Sequence, residues 1–211
     1  MSHLYKEAVL IKEKEGEIMN SNIESFIKQL KTEQGNSVIP SVRNAEQFRE
    51  ALKSNSPIVL VLFGDILSLP EMVKEAAAVG KGLFVHLDFI AGVGKDEVGI
   101  RFLSQMGIAG LITTKAYLCH VIRDSGMIAI QRLFLMDSES LRTGINLAVK
   151  YKPDIIEVLP GIVPAFTIER IKKETKLAVF GGGLIQTADD VQMAFGNGIT
   201  AVSTSNKELW G

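Results

Sequence analysis

A β-rich run followed by a stretch with helical periodicity recurs eight times along the chain, and this repetition constrains the fold more than any other feature. The runs are mostly continuous apolar stretches, as expected for strands that are covered on both faces. We therefore predict eight strands, at Val38–Arg43, Ile58–Asp65, Gly82–Ile90, Gly110–Lys115, Met127–Phe134, Ile155–Pro160, Leu177–Gly182 and Ile199–Ser205.

The stretches between the strands carry the signals that begin and end helices. Residues able to cap a helix N-terminus precede four of them: Asn44, Ser68, Asp137 and Thr187. Glycines that can end a helix follow three of them: Gly80, Gly107 and Gly126. Strands that alternate with helices at this spacing form a parallel sheet, and eight units favour closure into an α/β fold of the (β/α)₈ TIM-barrel type. An open, doubly wound sheet is the alternative, because periodicity does not show closure.

The two ends of the chain depart from the repeat. We expect residues 1–20 to be a flexible leader and residues 21–211 to form a single barrel domain. Apolar residues on one helical face indicate an extra N-terminal helix: Ile23, Phe26, Ile27 and Leu30. We expect this helix to end at Gly35 and to cover the N-terminal mouth of the barrel. Only Asn206–Gly211 follow the eighth strand, so the last helix is expected to be truncated or absent.

The composition is that of an ordinary globular domain, with 46% hydrophobic and 22% charged residues. The net charge is −1, so no overall basic field is present to hold nucleic acid. The single cysteine, Cys119, excludes an internal disulfide and favours a reducing compartment, and we expect it to be buried on a helix. Because no apolar run approaches the length of a membrane span and the N-terminus is charged, we expect a cytoplasmic protein without membrane association.

Binding sites in this fold lie at the C-terminal ends of the strands, and every predicted strand ends in polar residues or glycine. We assign seven residues to a polar cup at this end: Arg43, Asp65, His86, Asp88, Lys115, Arg132 and Glu157. Alternation along the strand places His86 and Asp88 on one face. Glu157 lies between apolar neighbours, where a carboxylate needs a partner such as Lys115 or Arg132. These charges form either an internal salt-bridge layer or a set of groups that hold ligand hydroxyls.

A phosphate site is predicted after the seventh and eighth strands. The residues assigned to it are Gly181, Gly182, Gly183, Ser203, Thr204 and Ser205. Glycines let backbone N–H groups approach an anion, and hydroxyls at the start of a short final helix add donors. Barrels of this type hold phosphate at these two loops, although a plain tight turn is the alternative. We assign no catalytic residue and no metal ligand, because the sequence lacks a P-loop lysine motif, a nucleophile elbow and Cys/His metal spacing.

Eight strand-end motifs occur in order along the chain. They are Ile39-Pro40-Ser41-Val42-Arg43, Phe63-Gly64-Asp65-Ile66, Phe84-Val85-His86-Leu87-Asp88, Thr113-Thr114-Lys115, Gln131-Arg132, Glu157-Val158-Leu159-Pro160-Gly161, Gly182-Gly183-Leu184-Ile185 and Val202-Ser203-Thr204-Ser205. In this order they resemble the glycerol-3-phosphate-responsive antiterminators of the glycerol uptake operon, over roughly Ile23 to Trp210.

The resemblance implies a regulator rather than an enzyme. Members of this family bind glycerol-3-phosphate, act on the leader mRNA of glycerol-utilisation transcripts and prevent early termination. It implies no cofactor beyond that ligand, and the oligomeric state is not indicated. The basic residues available for a local RNA patch are Arg170, Lys172, Lys173 and Lys176, although a solvated helix face explains them as well. The sequence contains no aromatic RNA-binding motif.

The fold alone favours a different class, an enzyme that acts on a phosphorylated sugar or polyol, such as an isomerase, an epimerase or a prenyltransferase-like barrel. The same cup contains side chains able to act as acids and bases: His86, Asp88, Lys115 and Glu157. Glycerol-3-phosphate binding without turnover separates the regulator from the enzyme.

Overall fold

Eight parallel strands close into a barrel in chain order in the computed structural model, which describes residues 23–30 and 37–211. The strands are β1 (Val38–Val42), β2 (Ile58–Val61), β3 (Gly82–His86), β4 (Gly110–Thr113), β5 (Ile128–Phe134), β6 (Ile155–Leu159), β7 (Ala178–Gly182) and β8 (Ala201–Thr204). Pairing of Val38 in β1 with Val202 in β8 closes the barrel and excludes the open sheet. The predicted leader, residues 1–20, and the predicted helix end at Gly35 lie outside the described residues.

A helix follows each of the first seven strands and packs on the outside of the barrel. They are α2 (Ala45–Ala51), α3 (Leu69–Ala78), α4 (Glu97–Gln105), α5 (Cys119–Asp124), α6 (Ser138–Tyr151), α7 (Ala165–Thr175) and α8 (Ala188–Gly196), and a further helix, α1 (residues 23–30), precedes β1. A short 3₁₀ helix, Lys207–Leu209, follows β8. In the described part of the chain, no helix is long and apolar enough to cross a membrane.

The predicted caps form the helix starts, with one difference in how Ser68 acts. Asn44, Asp137 and Thr187 each accept a hydrogen bond from a backbone N–H three residues later, as an N-cap does. Ser68 occupies the N-cap of α3, but its hydroxyl accepts from the N–H of Asp65 instead of capping the helix. The carboxylate of Asp65 takes over that role by accepting from the N–H groups of Leu67 and Ser68.

All eight predicted strands are longer than the observed ones, and the excess is largest for β2 and β3, because the chain turns soon after each of these two reaches the mouth of the barrel. β2 ends at Val61 rather than Asp65, where the left-handed backbone of Gly64 (φ 106°) begins the turn into α3. β3 ends at His86 rather than Ile90, because a 3₁₀ helix occupies Leu87–Phe89. β8 begins at Ala201 rather than Ile199.

The lower half of the barrel interior is apolar. Its buried side chains come from all eight strands: Ile39, Ile58, Leu60, Phe84, Ile112, Ile130, Ile155, Phe180 and Ala201. Alternate residues such as Val59 and Val85 pack outward against the helices. The ring of Phe26 in α1 stacks on that of Phe84 at a centroid distance of 5.4 Å. Thus α1 closes the N-terminal end of the interior, as predicted.

Candidate functional site

The interior of the barrel becomes polar toward the C-terminal ends of the strands. Arg132 in β5 and Glu157 in β6 are partners in the sheet register. Arg132 Nε lies 2.7 Å from Glu157 Oε2, and the hydroxyl of Ser203 in β8 donates to Glu157 Oε1 at 2.7 Å. All three side chains are buried. Arg132, rather than Lys115, is therefore the partner that Glu157 requires.

Gly182 allows β7 to pass close to this network. A Cβ at Gly182 would lie 2.6 Å from the Ser203 hydroxyl oxygen and 2.9 Å from Glu157 Oε1, closer than real Cβ atoms come. A Cβ at Gly181, on the opposite face of the strand, would lie 3.1 Å from the backbone of Gly161. Gly182 thus serves close packing around the buried carboxylate, and Gly181 serves close packing against Gly161 on the other face of β7.

A cavity of about 210 Å³, called the pocket below, opens beside this network. Its lining includes most of the residues assigned to phosphate binding together with two arginines: Arg43, Arg132, Gly183, Ser203, Thr204 and Ser205. Ligand pockets for drug-sized molecules are typically about 300–1,000 Å³, so this one suits a smaller ligand. Neither Gly181 nor Gly182 lines the pocket, because both are buried in β7.

Donors for an anion converge on the pocket from several elements. The guanidinium of Arg43 and the Nη groups of Arg132 form no hydrogen bond or ion pair with any residue of the ranges 23–30 and 37–211. The Ser205 side chain is exposed at the pocket. Thr204 differs, since its hydroxyl donates to the carbonyl oxygen of Ile185 at 2.8 Å and so ties the two loops together. The pocket is therefore cationic, and Thr204 supports its shape.

The loop after β7 has an uncommon backbone at the pocket wall. Gly183 and Leu184 both adopt left-handed conformations, with φ of 69° and 59°. A left-handed leucine costs about 1–2 kcal/mol relative to the right-handed region, and such strain is often found at ligand sites. The side chain of Leu184 is 72% exposed although it lines the pocket.

His86 lies at the top of β3 as a buried, neutral imidazole. Burial first, and then the charge of Arg132, lower its pKa to about 3, while the charge of Asp88 acts in the opposite direction. Its Nδ1 is 3.8 Å from Asp88 Oδ2 and has no hydrogen-bond partner among the described residues. Buried polar atoms are nearly always hydrogen-bonded, so this nitrogen marks a place for a ligand hydroxyl or a water.

The remaining predicted cup residues lie at the mouth but outside the pocket lining. Asp88 Oδ2 accepts hydrogen bonds from the backbone N–H and the hydroxyl of Thr114, both at 3.0 Å. Hydrogen bonds from Ser68 and Leu67 lower the pKa of Asp65, whose carboxylate is committed to the start of α3. Lys115 is half-buried before a 3₁₀ helix. The structure therefore separates a cationic pocket from a second group of polar side chains across the mouth.

Sequence reasoning missed several residues that line the pocket: Ser41, Leu62, Leu159, Leu184, Ile185 and Gln186. Ser41 was within reach, because alternation along β1 places it on the same face as Ile39 and Arg43. The residues after Gly183 carried no usable signal, since their place depends on the left-handed turn of the loop.

The basic residues considered for RNA lie around the C-terminal end of α7, at the opposite end of the barrel from the pocket. Arg170 Nε pairs with Glu174 Oε1 at 2.8 Å. Lys172 donates to the carbonyl oxygen of Gly198, and burial lowers its pKa. Two of the four cationic side chains thus already contact other groups of the protein. This favours an ordinary solvated helix face over an RNA-binding patch. Cys119 is buried at the start of α5, as expected, and burial raises its pKa to about 12.

Fold and site together define a closed (β/α)₈ barrel with a small, cationic pocket at the loops after its seventh and eighth strands. A family model for the glycerol-3-phosphate responsive antiterminator matches residues 38–210. The chain belongs to this family of antitermination regulators.

Individual relatives agree with this assignment. The glycerol uptake operon antiterminator regulatory protein of Listeria monocytogenes str. 4b F2365 is 34% identical, with a TM-score of 0.77 over 82% of this chain and 94% of that one. A glycerol uptake operon antiterminator-related protein of Thermotoga maritima MSB8 is 30% identical, with a TM-score of 0.75 over 83% and 98%. The uncharacterized protein YgcP of Escherichia coli (strain K12) is 32% identical over 83% of this chain and 92% of its own length.

The buried ion pair predicts a difference between two isosteric substitutions. Glu157→Gln leaves the buried guanidinium of Arg132 opposite a neutral amide, and we expect the free energy of unfolding to fall by about 3 kcal/mol. Asp88→Asn keeps an oxygen that can accept from Thr114, and we expect a loss below about 1 kcal/mol. Urea unfolding measures the loss of stability in both variants. Equal losses would contradict the claim that the buried ion pair of Glu157 stabilises the fold.

The low pKa of His86 predicts a stability change with pH. The folded protein keeps His86 neutral down to about pH 3, whereas the unfolded chain takes up a proton below about pH 6.5. Because the unfolded state then binds more protons, the free energy of unfolding falls as the pH drops below 6.5, by up to about 1.4 kcal/mol per pH unit. Urea unfolding at about pH 7, 6 and 5 checks this for the wild type and His86→Asn.

We expect His86→Asn to flatten the pH dependence, while His120→Asn at an exposed position retains it. If the free energy of unfolding of His86→Asn fell with pH as steeply as that of the wild type, the pH dependence would not come from His86.

Proposed function

We propose that this chain binds glycerol-3-phosphate at the mouth of the barrel and, in that state, acts on the leader mRNA of a glycerol-utilisation operon to prevent termination of transcription. The observation that carries the proposal is the cationic pocket at the loops after β7 and β8, where barrels of this type hold phosphate. Membership of the antiterminator family supports the regulatory role.

The phosphate is proposed to sit between the β7 and β8 loops. Arg43, the Nη groups of Arg132 and the hydroxyl of Ser205 supply donors, and hydrogen bonds from charged groups to phosphate are the strong ones. Ser203 contributes less to the phosphate, because its hydrogen is already donated to Glu157. Gly183 leaves its part of the pocket wall free of a side chain. The ligand therefore neutralises a charge that the fold leaves uncompensated.

The hydroxyls of the ligand are proposed to point across the mouth toward β3. The unpartnered Nδ1 of His86 can accept a hydrogen bond or donate one, depending on its tautomer. Asp88 retains a second carboxylate oxygen beside it. Arg132 connects the two sides, because it lines the pocket and also contributes to the low pKa of His86. In this arrangement the ligand alone is bound, without a cofactor.

An enzyme acting on a phosphorylated polyol is the second candidate. The neutral imidazole of His86, 3.8 Å from the Asp88 carboxylate, is the observation that favours it, because such a pair can move a proton. Incubation with glycerol-3-phosphate followed by product analysis discriminates the two functions. Saturable binding without turnover supports the regulator, and turnover supports the enzyme.

The phosphate pocket predicts that glycerol-3-phosphate raises the melting temperature and that glycerol does not. At a ligand concentration about 100 times the dissociation constant, binding adds about 2.7 kcal/mol to the free energy of unfolding. Thermal unfolding with glycerol-3-phosphate, glycerol and inorganic phosphate in parallel measures the effect. If glycerol raised the melting temperature as much as glycerol-3-phosphate does, the pocket would not bind the phosphate group.

A matched pair of substitutions tests the position of the phosphate. Gly183→Val and Gly126→Val both place a β-branched side chain on a left-handed backbone, with φ of 69° and 79°, so both should lose about 1–2 kcal/mol of stability. Gly126 lies after α5, at the other end of the barrel. We expect only Gly183→Val to lose glycerol-3-phosphate binding, by calorimetric titration with circular dichroism as the folding check. Native-like binding by folded Gly183→Val would place the phosphate elsewhere.

A further inference from the structure

Exposed apolar side chains are concentrated at the mouth of the barrel. Among the described residues, twelve large hydrophobic side chains are exposed. Eight of them lie in the loops that follow the strands, at a strand end or in the first helical turn: Leu67, Phe89, Val98, Tyr117, Phe134, Met136, Phe166 and Leu184. We call these eight residues the rim. Single exposed hydrophobic residues are ordinary, but such a concentration at one end marks an interaction surface.

The aromatic members of the rim are regularly placed. Phe89, Tyr117, Phe134 and Phe166 follow or end β3, β4, β5 and β6, which are consecutive strands of the barrel. Each is between 49% and 67% exposed. In the described part of the chain, the one other exposed aromatic residue is Phe102, on α4. One exposed ring therefore stands at each of four neighbouring positions around the mouth.

Charged side chains of both signs lie at the mouth of the barrel. Four aspartates there direct their carboxylates to backbone N–H groups at helix starts: Asp65, Asp96, Asp137 and Asp190. The cationic groups of Arg43 and Lys115, in contrast, form no hydrogen bond or ion pair with residues 23–30 or 37–211. The mouth thus presents four exposed rings and the unpaired cation of Lys115, while four of its carboxylates are held at helix starts and Arg43 faces the pocket.

We propose that the rim binds a single-stranded segment of the leader RNA, which lies across the mouth above the pocket. Unpaired bases stack on exposed aromatic rings, and lysine and arginine bind the phosphates. Rings at β3 to β6 offer stacking positions along one side of the mouth. This inference rests on the proposed function for the identity of the RNA, and it adds the surface that binds it.

The location explains how a small ligand controls RNA binding. Leu184 belongs both to the pocket lining and to the rim. A ligand that holds the left-handed Gly183–Leu184 loop in one conformation also sets part of the RNA surface, which gives the two binding events a shared element. The basic end of α7 offers no such link, because it lies at the opposite end of the barrel.

The test compares rim aromatics with a matched aromatic outside the rim. The variants are Tyr117→Ser, Phe134→Ser and Phe166→Ser, with Phe102→Ser as the control because Phe102 is 40% exposed on α4. The probe is an in vitro transcript of the source organism's glycerol-operon leader, with saturating glycerol-3-phosphate. Because base–aromatic stacking contributes about 1–3 kcal/mol per base, we expect each rim variant to bind RNA at least about fivefold more weakly.

The same variants should bind glycerol-3-phosphate within about twofold of the wild type by calorimetry, since none of the three lines the pocket. Phe102→Ser should match the wild type in both assays. Unchanged RNA affinity in all rim variants overturns the inference. So does a change in sedimentation with unchanged RNA affinity, because the rim would then join copies of this chain.

A second measurement covers variants that fold poorly. Transcripts carrying 4-thiouridine should crosslink the wild-type protein at peptides containing Tyr117, Phe134 or Phe166, whereas crosslinks confined to the end of α7 overturn the inference. If the wild type binds glycerol-3-phosphate but no RNA, the RNA part of the proposed function fails and this surface fails with it. If it binds RNA through the rim without responding to glycerol-3-phosphate, only the proposed ligand fails.

Discussion

The structure of the site depends on one buried ion pair, between Arg132 and Glu157 inside the barrel. A carboxylate and a guanidinium at this depth are stable only when both are paired and further hydrogen-bonded, and Ser203 supplies the additional bond to Glu157. The same network requires glycine at position 182, where any side chain would meet Glu157 and Ser203. Four neighbouring strands are therefore fitted around one charge, and this divides the apolar lower interior from the polar mouth.

The ion pair also reconciles two interpretations that the sequence left open. The charges in the barrel were expected to be either a salt-bridge layer or ligand-binding groups. Glu157 is satisfied by its neighbours and belongs to the first kind. Arg132 belongs to both, because its Nε is paired with Glu157 while the side chain lines the pocket. Its charge also helps to keep His86 neutral. One arginine thereby connects the packing of the barrel with the electrostatics of both sides of the mouth.

Much of the fold was predictable because its determinants are local. Runs of apolar residues defined the eight strands, and caps such as Asn44 and Asp137 form as expected. The residues assigned to the site that line the pocket are those at or just after a strand end, such as Arg43, Gly183 and Ser203. The structure adds features that the sequence patterns did not indicate: Asp65 caps α3, and β3 gives way to a 3₁₀ helix at Leu87. Those outcomes depend on turn geometry, which residue type alone does not specify.

The exposed aromatics show a different reason why sequence reasoning falls short. Phe89, Tyr117, Phe134 and Phe166 are far apart in the chain, and none belongs to a recognisable nucleic-acid motif. Closure of the barrel places the loops after β3 to β6 side by side, so the surface exists only in three dimensions. The proposed RNA site relies on stacking for much of its affinity, because the protein offers no large basic field. A net charge of −1 also limits non-specific attraction to nucleic acid, so the proposed site requires bases that can stack on these four rings.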